Sequence, residues 1–285
     1  MDMGQFTGFE IGMREPGIAW FTFNTPERLN GMTTAIKRDL MEAVTQAQMD
    51  NAVRVLVFTG SGRAFSAGDD LNAYRDARIP GTPLMPPIPP GHDTPLGTYN
   101  GLRTISQQLN TTIRNLDKLT IAAINGVAIQ TGFSLALACD FRIAADSARM
   151  GSATLRFGLL PDEGGQYLLV QILGVAKTME FLMRKRIVDA EEALSLGLVN
   201  QVVAAEDLEA TAEAWARELA DGPQVSMRLL KRSVLNAAEL SWQQALDEIA
   251  AKTAISDHHP DAREGVRAFR EKREPNFNKA PETGS

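Results

Sequence analysis

Two short apolar runs stand out early in the chain, GIAWFTF at residues 17–23 and VRVLVFT at residues 53–59. The first stops at Asn24, Thr25 and Pro26, the second at Gly60. Runs of this length, rich in β-branched and aromatic residues, predict strands. Between them Ile36, Leu40, Val44 and Ala47 recur at spacings of four and three. That stripe predicts an amphipathic helix over residues 33–49, capped by Thr33 or Thr34. Strand, helix, strand suggests a βαβ-like crossover.

Residues 79–95 hold seven prolines, which excludes a regular helix or a central strand there. The segment reads as a long insert loop, either a surface excursion or a lid over a pocket. A helix is predicted over 99–116 and a buried strand over 120–124, bounded by Asn125 and Gly126. A second helix follows at 132–139, short strands at 141–144 and 149–152, a glycine-rich break at 158–165, and a helix at 166–173. From Ala190 onward five helical segments are punctuated by Gly197, by Gly222 and Pro223, and by His259 and Pro260, with one short strand at 198–203. The pattern predicts an α/β core over residues 1–200. A helical region over 201–285 carries apolar stripes that need a partner surface, which another subunit could supply.

Composition narrows the class. The 285 residues are 44% hydrophobic and 22% charged, ordinary values for a globular chain. Twenty-nine Lys and Arg against 35 Asp and Glu leave a net charge of −6, which repels a polyphosphate backbone, so nucleic acid is not an expected partner. The local run of Lys177, Arg184, Lys185 and Arg186 reads as a solvated helix end or as a small phosphate contact. The single cysteine, Cys139, excludes an intrachain disulfide framework and lies in an apolar stretch that suits packing. His92, His258 and His259 stand at no metal-ligand spacing, and no metal is expected. No signal segment or 18-residue apolar run is present, so a cytoplasmic protein without a membrane partner is expected.

Nucleotide-binding signatures fail on inspection. Gly60 and Gly62 lack the third glycine of a dinucleotide fingerprint, residues 174–178 (GVAKT) lack the upstream glycine of a Walker loop, and no G-x-S-x-G elbow occurs. Three glycine-bearing bends remain, at residues 66–70, 129–132 and 161–165, each read as directly following a strand and together able to face one cleft. The helix starting near Gly132 leaves backbone N–H groups that could stabilise an oxygen gaining negative charge. Tight turns alone would also account for the glycines.

Residues 64–71 (AFSAGDDL), 122–140 (AAINGVAIQTGFSLALACD) and 157–165 (FGLLPDEGG) resemble three successive signatures of the crotonase superfamily, the enoyl-CoA hydratase/isomerase family. Flanking pieces at 24–30, 187–200 and 265–277 resemble it too, so the likeness runs from about residue 9 to 277 in order. It implies a crotonase-like spiral of βαβ-like turns, assembled as a homotrimer or a dimer of trimers. It also implies an acyl-CoA thioester substrate, with coenzyme A as part of that substrate and no prosthetic group. The thioester oxygen would sit between the backbone N–H groups of Asp69 and Thr131, whose side chains need take no part, and the Asp69 carboxylate is expected to point away. Asp70 would brace nearby backbone N–H groups. Arg28, the backbone of Ser66, Ala67 and Gly68, and Lys272 or Arg273 would hold coenzyme A. Leu96 or Tyr99 would line the acyl tunnel.

The acid/base positions depart from the hydratase pattern. Ser134 and Thr154 stand where hydratases carry two glutamates, and neither hydroxyl can exchange a proton at neutral pH. Asp162 matches the acidic base of certain enoyl-CoA isomerases, with Glu163 as substitute. Both could instead cap the following helix, and Glu42 or Tyr74 could carry the chemistry. The expected activity is enoyl-CoA isomerisation through a thioester enolate. Enoyl-CoA hydration and non-catalytic acyl-CoA binding are the alternatives.

Overall fold

The computed structural model describes residues 6–70 and 94–279. Among the described residues ten strands form two sheets. The larger contains β1 (Phe9–Arg14), β2 (Ile18–Phe23), β3 (Val55–Gly60), β5 (Leu119–Ile124), β7 (Phe141–Ala145) and β10 (Gln201–Val203), in that spatial order. β1 runs antiparallel to β2, and every other neighbour in this sheet is parallel. The smaller sheet contains β4 (Ala64–Ser66), β6 (Val127–Ile129), β8 (Arg149–Gly151) and β9 (Ile187–Asp189), with only the β8 and β9 pair antiparallel.

The continuous apolar runs have a direct cause, because the larger sheet is covered on both faces. Ala19, Phe21, Leu56, Phe58, Ala122 and Ile124 turn to one core together with α1 (Thr34–Met49). Ile18, Trp20, Val55, Val57, Ile121 and Ala123 turn to a second core, under α7 (Leu208–Asp221). α7 meets the sheet through Leu208, Ala212, Ala216 and Ala220, a stripe at spacing four whose small side chains let the helix lie close. Thr33 caps α1, its hydroxyl accepting from Ile36 N at 3.2 Å.

The other helices before α7 are α2 (Pro95–Gly101), which leads through a π-helical turn (Leu102–Ser106) into α3 (Gln107–Asn115), then α4 (Thr131–Ala138), α5 (Gly165–Met183) and α6 (Ala190–Ser195). After α7 come α8 (Gln224–Ala237), α9 (Trp242–Asp257) and α10 (Pro260–Glu271). These last helices leave Leu230, Val234, Trp242 and Phe269 exposed. Among the described residues, no helix is long and apolar enough to cross a membrane.

Several elements differ from the periodic pattern. β4, β6 and β9 are three residues each, too short to show a period, and exist through their sheet partners. The helix predicted from 166 to 173 continues to Met183 because Gly174, at φ 73° and ψ 167°, interrupts it without ending it. The third bend follows a 3-10 turn (Thr154–Phe157) rather than a strand, so only two of the three bends leave strand ends directly. The proline-rich insert lies outside the described residues apart from Thr94 and Pro95, where the Thr94 hydroxyl accepts from Gly97 N at 3.0 Å and starts α2.

Candidate active site

The first two bends leave the ends of adjacent parallel strands, β4 and β6, so the fold delivers them side by side. Glycine makes their contact possible. A Cβ on Gly132 would stand 2.3 Å from the Ser66 carbonyl oxygen, and Gly68 lies at φ +100° with the Ile129 oxygen 3.1 Å from its Cβ position. Gln130, at φ 46°, turns the chain into α4, whose start carries no side-chain cap. Ser134 N bonds back to Gln130 O at 2.7 Å, while the N–H groups at Thr131 and Gly132 precede the first such bond. On the other bend, Met32 bridges Asp69 through Gly68 O (2.8 Å) and Asp70 N (3.0 Å), and the Asp69 amide takes no part in that bridge.

The Asp69 side chain turns inward, against expectation. Its Oδ1 lies 2.7 Å from Lys37 Nζ and accepts from the Thr131 hydroxyl at 2.6 Å. Lys37, wholly buried on α1, also reaches Glu163 Oε1 at 2.8 Å and Ser106 Oγ at 2.8 Å. The inward turn has a physical reason: the buried Lys37 ammonium attracts the carboxylate toward the interior. The Thr131 hydroxyl, expected to be a bystander, is part of this network.

Asp162 and Glu163 face the same cluster. α3 fixes their backbone, as Gln107 Nε2 donates to Asp162 O and Asn110 Nδ2 donates to Glu163 O, each at 2.9 Å. Burial pushes the Asp162 carboxyl above its ordinary value, the Asp69 charge adds to the rise, and the residue's own amide and Lys37 oppose it. Burial also raises Glu163, with Lys37 pulling back and Asp69 pushing up. Neither acid caps the next helix. Gly164 holds the N-cap position of α5 at φ +90°, with no side-chain cap.

Ser134 is buried against the start of α5, its Oγ 2.5 Å from the Cβ position of Gly165. Thr154 belongs to a neutral set in which Ser152 Oγ donates to Gln130 Oε1 at 2.7 Å and lies 3.3 Å from Thr154 Oγ1. Arg28 is exposed at the tip of its turn and pairs with Asp70 Oδ2 at 2.9 Å, so the Asp70 carboxylate holds a side chain. Ser66 Oγ accepts from Gly68 N at 3.3 Å, and Ala67 N bonds Leu29 O at 2.9 Å. Lys272 is exposed in a left-handed conformation at the end of α10, and the neighbouring Arg273 pairs with Glu264 and Glu271. Leu96 and Tyr99 are exposed on α2. Glu42 lies on the exposed face of α1, bonded to Gln46 and away from Lys37, and Tyr74 lies outside the described residues. Burial drives the Cys139 thiol up to about 12, which suits packing rather than reactivity. Among the described residues no His, Cys, Asp and Glu group could hold a metal ion.

Lys37, Ser106, Gln107 and Asn110 escaped the sequence reading. For Lys37 a signal existed: Lys37, Leu40, Val44 and Ala47 repeat at spacings of three, four and three, which sets a lysine on the buried stripe of α1. For Ser106 the signal is structural, since it closes a π-helical turn, a feature common at functional sites.

The model of the family Enoyl-CoA hydratase/isomerase matches residues 13–81 and 92–280. A relative from Escherichia coli (strain K12), 1,2-epoxyphenylacetyl-CoA isomerase, is 36% identical over 272 residues, covering 94% of this chain and 98% of its own length. Carnitinyl-CoA dehydratase of the same organism is 34% identical over 269 residues, 92% of this chain and 95% of its own. Among solved structures, an enoyl-CoA hydratase from Bacillus anthracis superposes with a TM-score of 0.85 at 28% identity, covering 95% of this chain and 99% of that one.

Proposed function

The chain belongs to the enoyl-CoA hydratase/isomerase family, and we propose that within it the protein is an enoyl-CoA double-bond isomerase acting through a thioester enolate, with Asp162 as the proton carrier. One observation carries the reading: a partly buried carboxyl with a raised pKa stands beside the Asp69 and Lys37 cluster, while the two hydratase acid positions hold Ser134 and Thr154. A carboxyl held above its ordinary value can take a proton and return it near neutral pH. Holding and activating a water calls for a second acid/base group, and Glu163 is tied to Lys37.

In this reading the CoA portion lies along Arg28, Ser66, Ala67, Gly68 and Lys272. The thioester oxygen accepts from the N–H groups of Asp69 and Thr131. Asp162 removes a proton from the carbon between the thioester and a 3,4 double bond, and the electron pair spreads over the dienolate to the thioester oxygen. The donors stabilise that charge more than the neutral ester. The same proton returns at the far carbon, which leaves the double bond conjugated and the enzyme unchanged. The isomerase named among the relatives supports this direction, and the dehydratase keeps addition or loss of water as the competing outcome.

The test offers a 3-enoyl-CoA and a 2-enoyl-CoA separately to wild type and to Asp162→Asn, following conjugation and 3-hydroxyacyl-CoA. Wild type should interconvert the alkenes with little hydration. The variant should lose about 10²-fold or more while still binding CoA. Hydration by wild type that survives in Asp162→Asn would sink the reading, and no turnover of any enoyl-CoA would leave an acyl-CoA binder. The exposed apolar residues of α8, α9 and α10 support assembly as a trimer or a dimer of trimers. A single-chain mass of 31.0 kDa in light scattering would exclude it.

A further inference from the structure

The cluster behind the bends holds three carboxyl groups and one ammonium. Lys37 Nζ spans Asp69 Oδ1 at 2.7 Å and Glu163 Oε1 at 2.8 Å, residues 32 and 126 positions away, and its side chain is 1% exposed. The Glu163 side chain is 2% exposed, and its Oε2 is buried without a hydrogen-bond partner among the described residues. An anion sealed so completely persists only beside a cation. Asp162 is the less enclosed of the pair on the third bend, and its own amide helps hold its carboxyl charge.

Resting on the isomerase reading above, we propose that Lys37 is a positioning residue: it holds Glu163 and Asp69 together as anions, so that Asp162 is left as the one carboxyl of the three able to exchange a proton with substrate. The groups facing this cluster come from six elements. α1 brings Lys37, the first bend brings Asp69, and the third bend brings Asp162 and Glu163. α4 and the π-helical turn bring only the hydroxyls of Thr131 and Ser106, and α3 brings the amides of Gln107 and Asn110. Burial pushes the Glu163 carboxyl up, and Lys37 is the foremost group pulling it back. A protonated Glu163 would become a second exchangeable acid 2.8 Å from the lysine position and blur which carbon receives the proton.

The decisive measurements are the pH profile of kcat/KM and the ¹³C carboxyl titration of the unliganded protein, in wild type, Lys37→Met, Lys37→Arg and Glu163→Gln. Loss of the ammonium in Lys37→Met should raise the Glu163 midpoint by about 1 to 3 pH units and carry the acidic limb of kcat/KM upward with it. Glu163→Gln removes an anion instead and should move that limb down. Lys37→Arg should keep both near wild type. A merely structural lysine would lower activity without moving the limb in opposite directions in the two neutralised variants. The titration of Glu163 needs no turnover, so an active Asp162→Asn enzyme would remove the isomerase reading while leaving this measurement intact. An unmoved Glu163 midpoint in Lys37→Met would overturn the proposal. If Lys37→Met fails to fold, an unmoved limb in Glu163→Gln overturns it equally.

Discussion

Lys37 and Lys231 are both buried ammonium groups 2.8 Å from a carboxylate oxygen, yet their surroundings differ in one respect that matters. Lys231 on α8 meets a single carboxylate, Asp140, and also donates to Lys118 O at 2.9 Å. The same Asp140 Oδ2 accepts from Thr120 N at 2.8 Å and from Thr120 Oγ1 at 2.9 Å. One cation, one anion and a ring of donors make a balanced, closed set that ties α8 to the edge of β5. Lys37 serves two carboxylates with a third close by, and one buried oxygen of Glu163 has no partner among the described residues. Balanced sets stabilise a fold, whereas a surplus of anions at the meeting point of three bends is where a proton can change hands.

The largest expected effect tests the architectural side. Lys231→Met takes the cation from the largely enclosed Asp140 and should lower unfolding free energy by about 3 kcal/mol in urea titration. Its acidic limb of kcat/KM should stay in place, and a shift matching that of Lys37→Met would erase the distinction between the two clusters.

Lys37→Met sharpens the contrast through pH. Glu163 already lies above its ordinary value in the folded chain because of burial, and loss of Lys37 takes it higher. Between the unfolded and folded values the folded state then binds more protons, so stability is fullest below the unfolded value and is lost as pH rises through the folded one. The loss amounts to about 1.4 kcal/mol per unit of that window. Urea midpoints measured at about pH 5 and about pH 8 should therefore diverge more in Lys37→Met than in wild type. Equal divergence in both would mean that Glu163 does not depend on the lysine.

The smallest effect concerns Thr131, whose hydroxyl supports Asp69 alongside Lys37. Thr131→Ala should cost about 1 kcal/mol of stability and leave turnover within roughly tenfold, because the backbone N–H survives. A loss beyond a hundredfold in a folded, CoA-binding variant would give the hydroxyl a direct part in the reaction.

The sequence by itself determined the class of fold, since buried parallel strands announce themselves as unbroken apolar runs and α1 as a stripe closed by a Thr33 cap. It also determined where the chain must bend. Glycine at 68 and 132 answers a need of the turns themselves, because a Cβ there would crowd the Ile129 and Ser66 carbonyl oxygens. The residues that resemble the family occupy those same bends. The bounds of β4, β6 and β9 were beyond reach, because these three are defined by hydrogen bonds to strands far along the chain rather than by any local period. The inward turn of Asp69 was equally invisible. Whether a carboxylate faces solvent or core depends on where a cation lies, and Lys37 reaches it only because α1 packs beside the bends. A lysine on an apolar stripe says that it is buried; which anions it meets, 32 and 126 residues further on, is fixed by convergence in three dimensions. Local pattern records the energy of burying a face, and tertiary structure alone decides how the charges buried with it are paired.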